Sequence, residues 1–171
     1  MLRYDGYKWA GPILLALGVV LLATGSSTAQ DDKNMGGWQL GSKYNQYYDA
    51  AELDAFKGWI VKVTEVTPMP GMSKGVALHI RESKDPDDEV IVVHLCPAWF
   101  MSTSAIGLKR GDRVKVRGVW AEINGEDIFM ASKVKKGDFF ALKVRLTKDG
   151  TPFWTMDADT LAKEQASAQS N

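Results

Sequence analysis

The sequence predicts an all-β fold: a small five-stranded Greek-key barrel with one short helix between the third and fourth strands, plus a C-terminal hairpin. Three observations carry this. Between Gly58 and Gly137 the chain passes through five short stretches of β-branched and apolar residues, separated by turns rich in Gly, Pro and Asp. The block Lys109-Arg-Gly-Asp-Arg-Val-Lys-Val-Arg-Gly118 alternates polar and apolar residues and stops at a glycine, the mark of a half-buried strand. The long apolar run lies outside this region, at the N-terminus.

That run spans residues 9–25, 17 residues without a charge. Arg3 and Lys8 precede it and Asp31 and Asp32 follow it, which places the rest of the chain outside the cytoplasm. Residues 1–29 read either as a signal peptide, cleaved after Ser27-Thr28-Ala29, or as an N-terminal membrane anchor at the short end of the spanning range. Residues 30–56 form a linker and lead-in, with aromatics from Trp38 to Tyr48 that suit a segment lying against the domain. The barrel domain is expected over 57–156 and a disordered tail over 157–171, where Leu161 is the one large apolar side chain.

Within the domain, Trp59–Val66 is a β-branched strand ending at the turn cluster Pro68-Met-Pro-Gly71. Gly75–Arg81 alternates, with Val76, Leu78 and Ile80 on one face. Asp85-Pro-Asp-Asp88 turns the chain into a third strand, Glu89–Leu95. Pro97–Ile106 breaks the strand pattern and is assigned the short helix, stopped by Gly107. Arg113–Ile123 and Asp127–Val134 are strands four and five, joined by the hairpin signal Asn124-Gly125. Phe139–Leu146 and Thr151–Thr155 make the terminal hairpin across Asp149-Gly150. Three strands, a helix, then two strands is the order of an OB-fold.

Lys and Arg total 21, as do Asp and Glu, so the net charge is zero. Without residues 1–29 the balance is 19 basic to 20 acidic, because Arg3, Lys8 and Asp5 leave with them. A general nucleic-acid binder needs a basic excess, so nucleic acid is not the expected partner despite the OB-like order. The single cysteine, Cys96, rules out an intramolecular disulfide.

Three stretches, Thr67–Val76, Val93–Phe100 and Lys109–Gly118, resemble a group of small exported bacterial OB-fold proteins of uncharacterised role. That group's His-Leu-Gly-Pro stands here as His94-Leu95-Cys96-Pro97. An anchored OB-like domain is also similar in layout to magnetosome-associated proteins of the MamS kind. The resemblance implies no catalytic residues.

Candidate chemistry centres on two histidines. If Pro86-Asp87 is a two-residue turn, the hairpin pairs Ile80 with Val93, Leu78 with Leu95 and His79 with His94. Opposed side chains have Cβ atoms roughly 4.5–5.5 Å apart, close enough for two imidazoles to share an ion. Cys96, two residues on, faces the same way if the strand persists. His79, His94 and Cys96 are therefore the candidate ligands of a transition metal ion: iron, copper or zinc. Ordinary half-exposed histidines and a packed thiol are the competing account. Cys96 is too near His94 in sequence for a hydrolytic dyad, because i, i+2 strand residues are roughly 7 Å apart. The expectation is a non-catalytic, exported or membrane-tethered module that binds a protein partner at the membrane. Trp99, Phe100 and Arg81 mark its candidate contact surface, beside the face of the second and third strands. Metal handling in a magnetosome is the alternative, and an oligonucleotide or oligosaccharide in the barrel groove is weaker still.

Overall fold

The computed structural model describes residues 34–169. The signal-peptide or anchor reading of 1–29 lies outside them. Among the described residues no helix is long and apolar enough to cross a membrane. The elements in order are a one-turn helix α1 (Lys43–Gln46), strands β1 (Asp54–Val66), β2 (Gly75–Arg81), β3 (Ile91–Pro97), β4 (Arg113–Ile123), β5 (Glu126–Lys136) and β6 (Phe140–Lys143), and helix α2 (Ala158–Gln169).

The protein is mostly β, with six strands in one sheet ordered β3-β2-β1-β4-β5-β6. β3 also pairs with β5, so the hydrogen bonds of β1–β5 run in a ring. That closing contact is parallel and joins Val93 to Phe129 and His94 to Met130. The other ladders are antiparallel. Alternation makes the inside apolar: along β4, Val114 and Val116 are buried while Arg113, Lys115 and Arg117 are exposed. Ile60, Leu78, Ile80, Val93 and Phe129 complete the centre. At the β4 bulge, Gly118 is required because a Cβ there would collide with the Met130 carbonyl of β5.

The structure corrects three sequence expectations. The sheet has six strands, because the first arm of the terminal hairpin adds to the edge of β5. The second arm shrinks to one bridge, Arg145 to Pro152, since proline has no N–H to continue a ladder, and a 3-10 turn follows over Phe153–Thr155. No helix forms between β3 and β4. The segment after Pro97 makes isolated turns, in which Ser102 and Ser104 bond each other at 3.0 Å and Gly107 takes φ +69°. The tail, expected to be disordered, is helical as α2. Its first turn is capped by Asp157, whose carboxylate accepts from Thr160 N–H at 2.9 Å and from the Thr160 hydroxyl at 2.7 Å. Those bonds hold the Asp157 carboxyl below its usual range.

A second buried layer lies outside the ring. Trp38 Nε1 donates to Ser73 O at 3.0 Å, and Trp154 Nε1 donates to Trp38 O at 2.8 Å, so the lead-in and the C-terminal segment lock together. Gly75 opens the space: a Cβ there would sit 2.5 Å from Trp38 Cζ2. Tyr44 and Tyr48 are buried beside them. At the centre is Arg145, 1% exposed. It donates to Asn45 Oδ1 at 2.8 Å and to Gly150 O at 3.2 Å. The rings of Trp154, Tyr48 and Tyr44 surround its guanidinium at 4.8, 5.2 and 5.9 Å.

Candidate functional site

One cleft, of about 360 Å³, opens on the outer face of β2 and β3, between the β1–β2 loop and the β4–β5 turn. The Asn-Gly turn forms as its sequence demands, with Asn124 at φ +56° and Gly125 at φ +80°. Asn124 Nδ2 donates to Pro68 O at 3.4 Å and ties the two rims together. Val66, Val92, Ile123 and Ile128 give apolar walls, Glu126 stands on the rim, and His79 and His94 line the floor.

The structure thus brings His79 and His94 into one cleft, by a different register from the expected one. His79 lies opposite Val92 and His94 opposite Ala77, so the imidazoles are diagonal neighbours on one face and not a directly opposed pair. Cys96 does not join them. A bulge between Val76 and Ala77 leaves Leu95 unpaired and sets Cys96 opposite Val76, on the other face of β2 from the histidines. Burial raises the Cys96 thiol to about 12, against an opposing effect of Arg145, so the free side chain is a neutral thiol at neutral pH. Among the described residues no three His, Cys, Asp or Glu side chains are placed to hold one ion.

His94 forms the wall between the cleft and the outer aromatic layer. Its Nδ1 lies 3.2 Å from the Tyr44 hydroxyl. Burial first, then the Arg145 charge and then His79, lower its pKa to about 4. Burial raises Tyr44 well above the ordinary phenol range, so it stays a neutral hydroxyl. The tautomer in which His94 Nδ1–H donates to Tyr44 leaves Nε2 as an acceptor or metal ligand. His79 Nε2 lies 3.1 Å from Thr64 Oγ1, and its pKa is lowered by burial and then by Lys62. Both rings are uncharged at neutral pH. The cleft therefore sets apolar walls beside two neutral imidazoles, the polar side chains of Thr67 and Asn124, and one carboxylate.

The expected partner-contact residues scatter. Trp99 is 50% exposed in the turn after β3, and Phe100 turns inward with its ring 6.2 Å from that of Trp154. Arg81 lies opposite Trp59, away from the cleft lining, and its Nε donates to Asp88 O at 3.2 Å. Sequence reasoning missed Tyr44, Thr64, Asn124 and Arg145. The aromatic spacing of Trp38–Tyr48 signalled Tyr44's burial. Arg145, between Val144 and Leu146, carried no signal of an interior guanidinium.

The family model described as the MamS/MamX magnetosome protein family matches residues 52–140. No curated protein matches. Among solved structures, the mitochondrial single-stranded DNA binding protein Rim1 from S. cerevisiae is similar at 14% identity, with a TM-score of 0.37 over 56% of this chain and 96% of that one. At that score the likeness carries no argument.

Proposed function

Because the chain belongs to the MamS/MamX magnetosome protein family, we propose that it is a non-catalytic accessory module of the magnetosome. In this reading it is exported or tethered at the membrane and holds a protein partner in the His79–His94 cleft. The ring of β1–β5 is taken as an OB-like barrel. In that fold the face of strands two and three, with the loops joining strands one to two and four to five, receives ligands. The observation that supports the reading is that these same four elements line the cleft. No Lys or Arg lines it, which suits a protein segment better than a phosphate backbone. The test is photo-crosslinking from the rim position Glu126 in native magnetosome membranes. One discrete protein adduct is expected.

A second reading has its own observation: the two imidazoles are neutral and share a face, and the Tyr44 hydroxyl engages Nδ1 of His94, so the tautomer protonated there offers Nε2 to an ion. Such a pair suits iron, copper or zinc. With no third protein ligand among the described residues, water or the partner would supply the rest. Calorimetric titration of the full chain with each ion, beside the His79→Ala/His94→Ala variant, tests this. Stoichiometric binding lost in the variant makes the cleft a metal site. Absent binding, or equal binding by both proteins, removes the metal reading and leaves the docking one.

A further inference from the structure

Cations gather at a second cavity, which shares no lining residue with the cleft. Trp59 pairs with Arg81 on β2 and with Arg113 on β4, so two arginines flank one tryptophan in a row across three strands. The Arg113 guanidinium lies 4.9 Å and the Lys84 ammonium 5.6 Å from the Trp59 ring centroid, held there by cation–π attraction. Arg81, Lys84 and Arg110 line a cavity of about 360 Å³ over Trp59, with Ser83 between them. Four cations converge in a chain of zero net charge.

Among the described residues the ion pairs are Lys74–Glu65, Lys136–Asp112 and Lys148–Asp149, none of which includes these four. No carboxylate lines the cavity. Asp88 touches two of the lining residues without neutralising them: its backbone carbonyl accepts from Arg81 Nε and its carboxylate accepts from Ser83 N–H at 3.1 Å, while Asp88 itself lines a different pocket, beside Trp120. Ser83 Oγ accepts from Asp85 N–H at 2.9 Å, which leaves its hydroxyl proton to donate. Converging like charges raise the energy of the folded state unless something neutralises them. Two guanidiniums, an ammonium and a hydroxyl around one cavity are the donor set that phosphate oxygens need.

We propose that the cavity formed by Arg81, Lys84 and Arg110 over Trp59 binds a phosphate group, borne either by a free phosphate compound or by an anionic phospholipid headgroup. The site is independent of the His79–His94 cleft.

The test keeps the full chain in zwitterionic phosphatidylcholine nanodiscs and uses two probes at fixed ionic strength: inorganic phosphate, by calorimetry, and phosphatidylglycerol vesicles, by flotation. The Arg81→Gln/Arg110→Gln variant is compared with Lys43→Gln/Lys163→Gln, which removes equal charge elsewhere. Lys84→Gln serves as a second, milder variant if the first loses its near-ultraviolet circular dichroism. Binding weakened roughly tenfold or more in the cavity variant and unchanged in the control is expected. Phosphate binding alone assigns a free ligand. Vesicle binding with the same variant profile assigns the lipid headgroup. No binding of either probe, or equal weakening in the control, overturns the proposal.

Discussion

Arg145→Ala is expected to destabilise the folded chain by about 3–5 kcal/mol, read as a shift in urea midpoint. Three losses combine. The guanidinium vacates a fully buried space inside a cage of Tyr44, Tyr48 and Trp154. Asn45 Oδ1 and Gly150 O lose their donor in the interior. The lead-in and C-terminal segments lose the group that joins them. Arg145→Met is expected to cost far less, because it keeps most of the volume and removes a buried charge that no carboxylate among the described residues pairs with. It should also raise the pKa of His94, since the Arg145 charge is one of the causes that lower it. Ring titration by NMR reads that shift. Equal destabilisation by both variants, with His94 unmoved, would sink the cage account.

The pH dependence of stability is the second large effect. His94 titrates near 6.5 when unfolded and at about 4 when folded, with burial as the main cause. Between those values the unfolded chain binds more protons, so stability is fully present above about pH 6.5 and falls as the pH drops toward about 4. The loss is on the order of 3 kcal/mol. His79 shifts the same way, through burial and Lys62, and adds to the slope. The lowered carboxyls of Asp112, Asp149 and Asp157 act below the histidine window, where they too lose stability as they protonate. A His94→Gln variant should flatten the curve between about pH 6.5 and 4. A wild-type curve that is already flat there would show that His94 is not held neutral by the fold.

Much of the ring was readable from the chain, because period-two alternation and turn chemistry are local. The alternation of Arg113–Arg117 and the Asn124-Gly125 turn state strand and hairpin directly. Register was not readable. The expected pairing set Ile80 against Val93, and the observed one sets Ile80 against Ile91 and Leu78 against Val93. A slip of two residues keeps each side chain on its face, so apolar still meets apolar and the hydrophobic pattern cannot choose. The choice was made by the loop, where Asp85, Asp88 and Ser83 side chains capture backbone N–H groups and lengthen the turn. The same limit hid the bulge that carries Cys96 away from the histidines. The outer layer was hidden for another reason. The partners Asn45 and Arg145 are 100 positions apart in the chain, and no local pattern links them. The α2 helix depends on a cap at Asp157 and on contact with β6, neither visible in its Ala- and Gln-rich composition.

The central claim, that the face of β2 and β3 at His79 and His94 is the working surface, is tested most directly by paired photo-crosslinking in native magnetosome membranes. One crosslinker replaces Glu126 on the cleft rim, and the other replaces Lys163 on α2. The account predicts a single discrete protein adduct from position 126, lost when His79 and His94 are both replaced, and none from position 163. Adducts of equal yield from both positions, or an adduct from 163 alone, would contradict it.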